Sequence, residues 1–428
     1  MPASSRSWTL SLLAVSFVAR AQQAQVQLTI EDCIRKALAV PSQVSLARLD
    51  REISDRDRMQ SRAGFLPQGS FNLGHTYNSP NRLDRSTFSY VALNGVREFV
   101  ALASIFQEID TSGRLRAGYE RARAGQDAAA ASLGIAGRDL KRGVAAAYYR
   151  VLLARHLASA IGSSLAESEA FERRVRLLAD AGESARADLV KASAQAAFLR
   201  QSVGTADLAA SLANQDLASF WTRDVTEPLQ LVDVFEAALP EPVPPPSSAV
   251  TPFLRRFEFR LFDAELRGFR AESRVAKSAM LPKLTWTFQY GFDSNRFSWA
   301  DRGYAAFANL NVPVFDWFHA RNASRQFQAR AAKVGDSRAI AERVFSAEYQ
   351  AALAKVRLFH EQVAQGRRQV SLSEEDLKLS RLRYEGGEGL ALDVVTAQNQ
   401  LAQARTNYFS SIANYLTARL DLEVASGQ

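Results

Sequence analysis

Residues 387–422 read GEGLALDVVTAQNQLAQARTNYFSSIANYLTARLDL, and residues 182–217 read GESARADLVKASAQAAFLRQSVGTADLAASLANQDL. Each stretch opens on Gly-Glu, carries an aspartate shortly afterwards (Asp393 and Asp188), and then places small or apolar residues at alternating steps of three and four. This spacing is typical of a coiled-coil seam. The seam positions are Val394, Ala397, Leu401, Ala404, Tyr408, Ser411, Tyr415, Ala418 and Leu422, and Leu189, Ala192, Ala196, Leu199, Val203, Ala206, Ala210, Ala213 and Leu217. The constant offset between the copies predicts two structural repeats, each with a closely packed helical seam.

The placement of proline extends the helical prediction upstream of each seam. No proline occurs between Pro80 and Pro228, and none follows Pro313. Proline breaks helix interiors, and these stretches are rich in Ala, Leu, Arg, Glu and Gln, which favour helices. We therefore predict long helices over residues 113–180 and 318–385, each roughly 100 Å long at about 1.5 Å per residue. Helices of this length need partners along their whole length.

Strand patterns precede the long helices. Apolar and polar residues alternate over 68–78 and 283–293, and both segments reach the ~9–11 residues that a membrane-spanning strand needs. A return strand is predicted over 306–314, with Phe307 breaking its polar side, and its counterpart in the first repeat lies within 88–106. A soluble sandwich is one interpretation. The alternative is a barrel shared between chains, because four strands are too few to close a barrel that needs about eight or more, whereas three chains supply about twelve.

The N-terminus reads as a secretory signal peptide. Arg6 provides a short positive region, residues 8–19 are apolar, and Ala19-Arg20-Ala21 fits small-residue cleavage after Ala21. A buried first helix is the weaker alternative, because several glutamines follow at once. The predicted organisation is a signal peptide at 1–21, a first structural repeat at 22–227 (strands about 68–106, hairpin tip near 182), a Pro-rich linker at 228–252, and a second structural repeat at 253–428 (strands about 283–315, hairpin tip near 387).

Composition argues against several classes of protein. The chain of 428 residues is 47% hydrophobic and 23% charged, with a formal net charge of +8, so it can bury a large core. Basic and acidic residues alternate, as in 48–52, which indicates a solvated helix face rather than a nucleic-acid site. Cys33 is expected to be a small core residue. Neither metal-binding histidine spacing nor a catalytic motif occurs, so we expect no enzyme, no metal site and no cofactor.

Several segments, in order along the chain, resemble the TolC family of outer-membrane efflux and secretion channels. The segments that carry the resemblance are LTIEDCIRKAL at 28–38 (the opening helix), GFLP at 64–67 (the entry to the first strand), VPVFD at 312–316 (the exit from the last strand), and YEGG at 384–387 with LDV at 392–394 (the tip of the second long hairpin). The ordered set covers nearly the whole chain after the signal peptide.

The resemblance implies a mainly α-helical fold with a small antiparallel β part. Long α-helical hairpins and two β-hairpins would trimerise into a β-barrel of about twelve strands in outer-membrane lipid and a helical tunnel in the periplasm. It also implies a passive exit duct for small molecules, working with a periplasmic adaptor protein and an inner-membrane pump. Type I protein secretion is an alternative. A non-channel trimeric coiled-coil or adhesin protein is another, although two strand hairpins within the chain argue against it.

The resemblance also suggests gate residues. Asp393 matches an acidic position of the periplasmic constriction, where three copies would form a cation-selecting ring. The structural alternative is a first-turn acid stabilised by the helix dipole, which we favour for Asp188. Tyr384 matches a gate tyrosine that hydrogen-bonds a neighbouring helix. Thr396 stands where some members carry a second acid, and Gly389 where a gate arginine can occur.

Two further sets of residues are implied. The hairpin tips that would meet an adaptor contain Gly182, Glu183, Gly387 and Glu388, whose glycines are also expected to end helices. The candidates for the lipid-facing side of the barrel are Phe71, Leu73, Tyr77, Trp286, Phe288, Tyr290 and Phe292. Core packing is the alternative for any one of them. Trp299 and Asp301 are expected in a loop that faces outward.

Overall fold

The structure of the chain is a computed structural model that describes residues 27–79, 96–235, 237, 239–241 and 251–427. The predicted signal peptide at 1–21 lies outside the described residues, as does 242–250 within the predicted linker. The helices are α1 (Ile30–Ala39), α2 (Gln43–Ala63), α3 (Arg114–Asp180), α4 (Arg186–Ala218), α5 (Phe257–Ser278), α6 (His319–Glu385) and α7 (Ala391–Ser426). The strands are β1 (Gln68–Tyr77), β2 (Arg97–Ile109), β3 (Lys283–Ser294) and β4 (Gly303–Asn311).

The long helices form two hairpins, α3–α4 and α6–α7. Both α3 and α6 contain 67 residues and begin one residue later than the sequence predicts. The seam of α4 is buried at most positions, including Ala192 and Leu217, which have no exposed surface. On α7, Val394, Ala404 and Tyr415 are equally buried. The predicted spacing of three and four residues therefore marks the packed faces.

The repeat is also visible in the geometry. Between α3 and α6 the offset is 205, from Arg114 to His319 and again from Asp180 to Glu385. Between the preceding strands β1 and β3 the offset is 215, from Gln68 to Lys283. We call residues related by these offsets repeat equivalents: 215 applies to α2 and β1, and 205 to β2, α3 and α4.

The four strands form one antiparallel sheet in the order β1-β2-β3-β4. Directly paired residues share a face of the sheet, so the register assigns the two faces. One face is apolar and aromatic along all four strands; it contains Phe71, Leu73, Tyr77, Phe99, Ala101, Ala103, Ile105, Leu284, Trp286, Phe288, Tyr290, Phe292, Tyr304, Ala306, Ala308 and Leu310. The other face carries mostly small and polar residues. We call the first one the apolar sheet face.

Two details of the sheet correct the sequence prediction. The return strand was expected to reach about residue 315, but β4 ends at Asn311. The alternating apolar residues continue to Val314, but the segment beyond Asn311 lies outside the strand because Pro313 lacks an N–H and Trp317 turns into a left-handed conformation. The second difference concerns Phe292, whose ring is covered by Phe297 and Trp299 of the following loop.

The elements are arranged side by side around the protomer. Near the sheet the order is α2–α3–α5–α6, and near the hairpin tips α3 and α7 bring the two hairpins together. Among the strands that the structure describes, β1 and β4 each pair on one side only. The protomer thus has two open edges, one formed by β1, α2 and α4, and the other by β4 and α6. Within the described residues, none of the helices combines the length and the apolar character needed to cross a membrane.

Candidate functional site

The two hairpin tips have the same backbone. After α3, the left-handed Gly182 (φ 79°) lets the Glu183 N–H reach the Leu178 carbonyl at 2.8 Å. After α6, Gly387 (φ 78°) lets the Glu388 N–H reach the Arg383 carbonyl at 3.0 Å. Both are Schellman motifs, for which glycine is favoured because a side chain disfavours positive φ. The glycines therefore have the structural role that the sequence suggested, and both glutamates are exposed at the tips.

Tyr384 connects the tips of the two hairpins. Its ring is buried and packs edge-on against Phe171 of α3, with ring centroids 5.2 Å apart. Its hydroxyl lies 3.1 Å from the Ser184 hydroxyl, in the turn between α3 and α4. The sequence resemblance suggested a partner on a neighbouring helix, whereas the partner here lies in the opposite turn. The side chain thus joins α6 to the first hairpin at the end of the molecule.

Asp393 lies in the first turn of α7 and is exposed. Its carboxylate accepts a hydrogen bond from the Leu390 N–H at 3.2 Å, so it caps the helix and also interacts favourably with the helix dipole. Thr396, three residues later, lies on the same side of α7 and donates its hydroxyl to the Leu392 carbonyl at 2.8 Å. The capping role of Asp393 and a role at a constriction are compatible, because the carboxylate remains accessible to water.

Gly389 occupies a crowded position. A Cβ atom built there would lie 3.0 Å from the Tyr384 backbone nitrogen and 3.1 Å from the Arg383 Cβ. An arginine at this position would therefore require the turn to shift. The second tip folds back closely on α6 instead, and the Gly389 N–H donates to the Arg383 carbonyl at 3.1 Å.

Polar contacts between the hairpins continue above the tips. Gln195 of α4 donates to Asn399 of α7 at 2.6 Å. Glu167 of α3 lies 3.5 Å from Arg405 of α7 and 3.7 Å from Arg381 of α6. Sequence reasoning did not identify these residues. The partners are more than 200 positions apart, and no local spacing connects them. Arg405 could have been found from the sequence, because it is a charged residue within a helix that the seam pattern predicts to be packed.

The apolar sheet face contains all seven residues predicted to face lipid. Phe71, Leu73 and Tyr77 of β1 are about two-thirds exposed. On β3, Trp286 and Tyr290 are also exposed, whereas Phe292 retains only 2% of its surface. The prediction that Phe292 is directly exposed is therefore wrong for this protomer, although the residue lies on the predicted face. The loop residue Trp299, predicted to face outward, covers it.

The centre of the helical body is a packed hydrophobic core. Cys33 is completely buried, and burial raises the pKa of its thiol to about 11, so the thiol stays protonated and unreactive. His156 is stacked between Phe235 and Phe409, and its Nε2 lies 2.6 Å from Asp233. Across the described part of the chain, no grouping of His, Cys, Asp and Glu side chains could hold a metal ion.

Comparisons with known proteins agree with this geometry. The family model for outer membrane efflux protein matches residues 33–222 and 254–428. The pyoverdine export outer membrane protein OpmQ of Pseudomonas aeruginosa is 25% identical over 317 residues, which is 73% of this chain and, at 66%, just under two thirds of that relative.

Solved structures show the same fold. The CmeC outer membrane channel of Campylobacter jejuni superposes with a TM-score of 0.83 at 17% identity, covering 93% of this chain and 85% of that one. The outer membrane protein VceC of Vibrio cholerae superposes with a TM-score of 0.80 at 16% identity, covering 93% of this chain and 96% of that one. The predicted class, long helical hairpins with a small antiparallel sheet, is confirmed.

Proposed function

As its motifs predicted, the chain belongs to the outer membrane efflux protein family, and from this premise we propose that three copies close into an outer-membrane duct that carries small molecules out of the periplasm. The observation that carries the proposal is the sheet with one apolar face and two open edges, β1 and β4. In lipid, backbone groups on an open edge have no water to bond, so the sheet has to close. Four strands per chain are too few, since the smallest barrels have about eight, and three copies supply about twelve.

The exposed side chains of the helices also support closure of three copies into a ring. The open edges carry exposed large apolar side chains, which monomeric proteins rarely expose in such numbers. On the first edge they are Leu46, Leu49, Ile53 and Met59 of α2 and Val190, Phe198, Leu208 and Leu212 of α4; on the second they are Ile340, Val344, Leu358, Leu372, Leu379 and Leu382 of α6. Joining one edge to the other copy by copy buries both sets, and it generates a ring of identical contacts.

The hairpin tips form the periplasmic end of the proposed duct. Gly182, Glu183, Gly387 and Glu388 are exposed there and are the candidate contacts for a periplasmic adaptor. Three copies of Asp393 near the axis form an acidic ring that favours cations, with Thr396 beside it. The duct itself has no energy source in this proposal, and an inner-membrane pump selects and drives the cargo. The similarity to the pyoverdine export protein OpmQ supports a small-molecule cargo.

Single-channel conductance of the purified, reconstituted protein tests the proposal. We expect a small, cation-selective conductance, and we expect Asp393→Ala to reduce the selectivity. Asp188→Ala is the matched control, because Asp188 occupies the same place in the first turn of α4. Equal effects of the two substitutions would contradict the acidic ring and retain the duct. A protein that never enters the outer-membrane fraction and gives no conductance would contradict the duct.

A further inference from the structure

The two junctions between sheet and long helix place different residues at the position just before the helix. Gly113 before α3 has φ 71° and ψ 11°, and its repeat equivalent Phe318 before α6 has φ 62° and ψ 15°. The backbone is the same, but this left-handed conformation suits glycine and is unfavourable for a residue with a side chain. Trp317, the preceding residue, is also left-handed at φ 54°. Two consecutive bulky aromatic residues therefore have positive φ, whereas of their equivalents, Ser112 and Gly113, only the glycine does.

These aromatic side chains are left exposed by the protomer. Trp317 retains 80% of its surface, Phe315 66% and Phe318 61%. The rings of Phe315 and Trp317 meet edge-on, with centroids 4.5 Å apart. We call Phe315, Trp317 and Phe318 the aromatic junction. Because it combines an unfavourable backbone with exposed apolar surface, the compensating contact has to come from outside the protomer.

The internal repeat shows where that contact lies. In β1–β2, Gln68 pairs with Phe106; their repeat equivalents, Lys283 and Asn311, pair in β3–β4. The two offsets therefore describe the sheet correctly. Applied to the β2–β3 pair of Ile105 with Phe288, they place Leu310 of one copy opposite Leu73 of the next. All four residues lie on the apolar sheet face, so the inferred register keeps that face continuous across the boundary between copies.

The same operation applies to the junctions. Within the chain, the β2–α3 junction contacts the turn before β3, where the Thr111 hydroxyl donates to the Pro282 carbonyl at 3.0 Å. The repeat equivalents are Asp316 and Pro67. The aromatic junction is thereby brought against residues 65–67 of the next copy, where Phe65 is partly exposed and Leu66 retains 60% of its surface. Both surfaces are apolar and lie on opposite open edges of the protomer.

We propose that the aromatic junction docks onto the Phe65–Pro67 turn of a second copy of this chain and stabilises the trimer where the sheet meets the helices. The proposal rests on the trimeric ring of three copies that is part of the proposed function. Burial of three aromatic side chains offsets the left-handed backbone at 317 and 318. The first repeat has no such need, because its junction is closed within the chain.

One pair of cysteines tests the ring independently of the aromatic junction. In Leu310→Cys with Leu73→Cys, opposed strand positions fall within disulfide range, so oxidation of the full-length protein in outer membranes should give covalent trimers. Leu310→Cys with Phe71→Cys is the off-register control and should give several-fold less. The native Cys33 is buried and does not compete. Absence of covalent trimers in the first variant would overturn the ring and, with it, this inference.

A photo-crosslinking residue placed at Trp317 tests the docking itself. We expect its crosslinked peptide to contain residues 65–67 of another copy, whereas the same group at Tyr304, at the far end of β4, should not reach them. We also expect Trp317→Ala trimers to dissociate in detergent at a lower temperature than Tyr304→Ala trimers. Crosslinks from position 317 to lipid only, in protein whose cysteine pair still forms trimers, would overturn the docking while retaining the ring.

Discussion

The two hairpin tips share a backbone but not their side chains. Ser184 of the first tip is the repeat equivalent of Gly389, and Tyr384 of the second is the equivalent of Ala179. The divergence is complementary, since the serine hydroxyl meets the tyrosine hydroxyl and the glycine makes room for the turn to close on α6. Two repeats within one chain can therefore keep the same backbone while each contributes a different side chain to the contact between them.

The internal seam, where α3 of the first repeat meets α5 of the second, differs in its side chains from the open edges, which face other copies in the proposed ring. Arg138 of α3 donates to Glu258 of α5 at 2.8 and 3.0 Å, joining the two repeats. The repeat equivalents of this pair, Arg343 and Gln43, are exposed on the two open edges. The internal seam thus has a largely buried ion pair where the open edges offer an arginine and an amide.

The largest effect is expected from Glu258→Gln. Burial alone would raise the pKa of the Glu258 carboxyl, but hydrogen bonds from Arg138 and Arg256 outweigh it and lower the pKa to about 2. The substitution removes the charge while leaving two arginines nearly buried, so we expect a loss of about 3 kcal/mol of unfolding free energy. Thermal unfolding by circular dichroism measures it, and an unchanged midpoint would contradict the importance of this seam.

The same carboxyl sets a pH dependence. Its pKa is lower in the folded chain, so its stabilising contribution is complete above the ordinary value near 4.5 and is lost as pH falls toward 2. The unsubstituted protein should lose stability over this range more steeply than Glu258→Gln. Parallel curves for the two proteins would assign the acid sensitivity to other groups.

Gly134→Ala tests the packing of the same seam. A Cβ at Gly134 would lie 2.6 Å from the Phe257 ring of α5, so the ring must move, and we expect a loss of about 2 kcal/mol. Gly137→Ala on the same helix is the matched control, because nothing lies within 4 Å of its added Cβ. The control should be neutral or slightly stabilising, since alanine favours helices. A loss of equal size in both variants would indicate a general requirement for glycine in α3.

Tyr384→Phe isolates the contact between the tips. The ring still packs on Phe171 while the hydroxyl contact to Ser184 is lost, so we expect a loss of about 1 kcal/mol and more frequent channel openings. Ser184→Ala should have the same effect, and the double variant should add little to either one. Full additivity of the two effects would show that the hydroxyls act separately.

The smallest effect is expected from Gln43→Glu. This change gives the open edge the acid that the internal seam has at Glu258, and in the proposed ring it would lie opposite Arg343 of the next copy. Because both positions are exposed, we expect a gain of at most about 1 kcal/mol in trimer stability, and the gain should diminish in high salt. Gln43→Leu is the control without charge. A gain shared by both variants would point to removal of the amide rather than to ion pairing.

The sequence predicts the parts of this fold that depend on local periodicity. The absence of proline locates α3 and α6 to within a residue, and the steps of three and four locate the packed seams of α4 and α7, because helix packing repeats every few positions. Alternation failed after Asn311, where Pro313 and the left-handed Trp317 end the strand although the apolar pattern continues.

The candidate site was harder to predict than the fold. The partner of Tyr384 is Ser184, some 200 positions away, and no spacing within one helix indicates such a pair. Phe292 has the alternation of a lipid-facing residue, but a loop folds over it, and loop packing has no period. Local patterns therefore predicted which face of an element is apolar, and not what would cover it.

The change of offset from 215 to 205 has a consequence for the outside of the cell. The offset changes because the connection between the two strands is longer in the first repeat than in the second. Residues 78–96 connect β1 to β2, whereas the much shorter segment 295–302 connects β3 to β4. A closed ring would alternate three long and three short connections around its mouth. The mouth of such a ring would therefore have three-fold rather than six-fold symmetry.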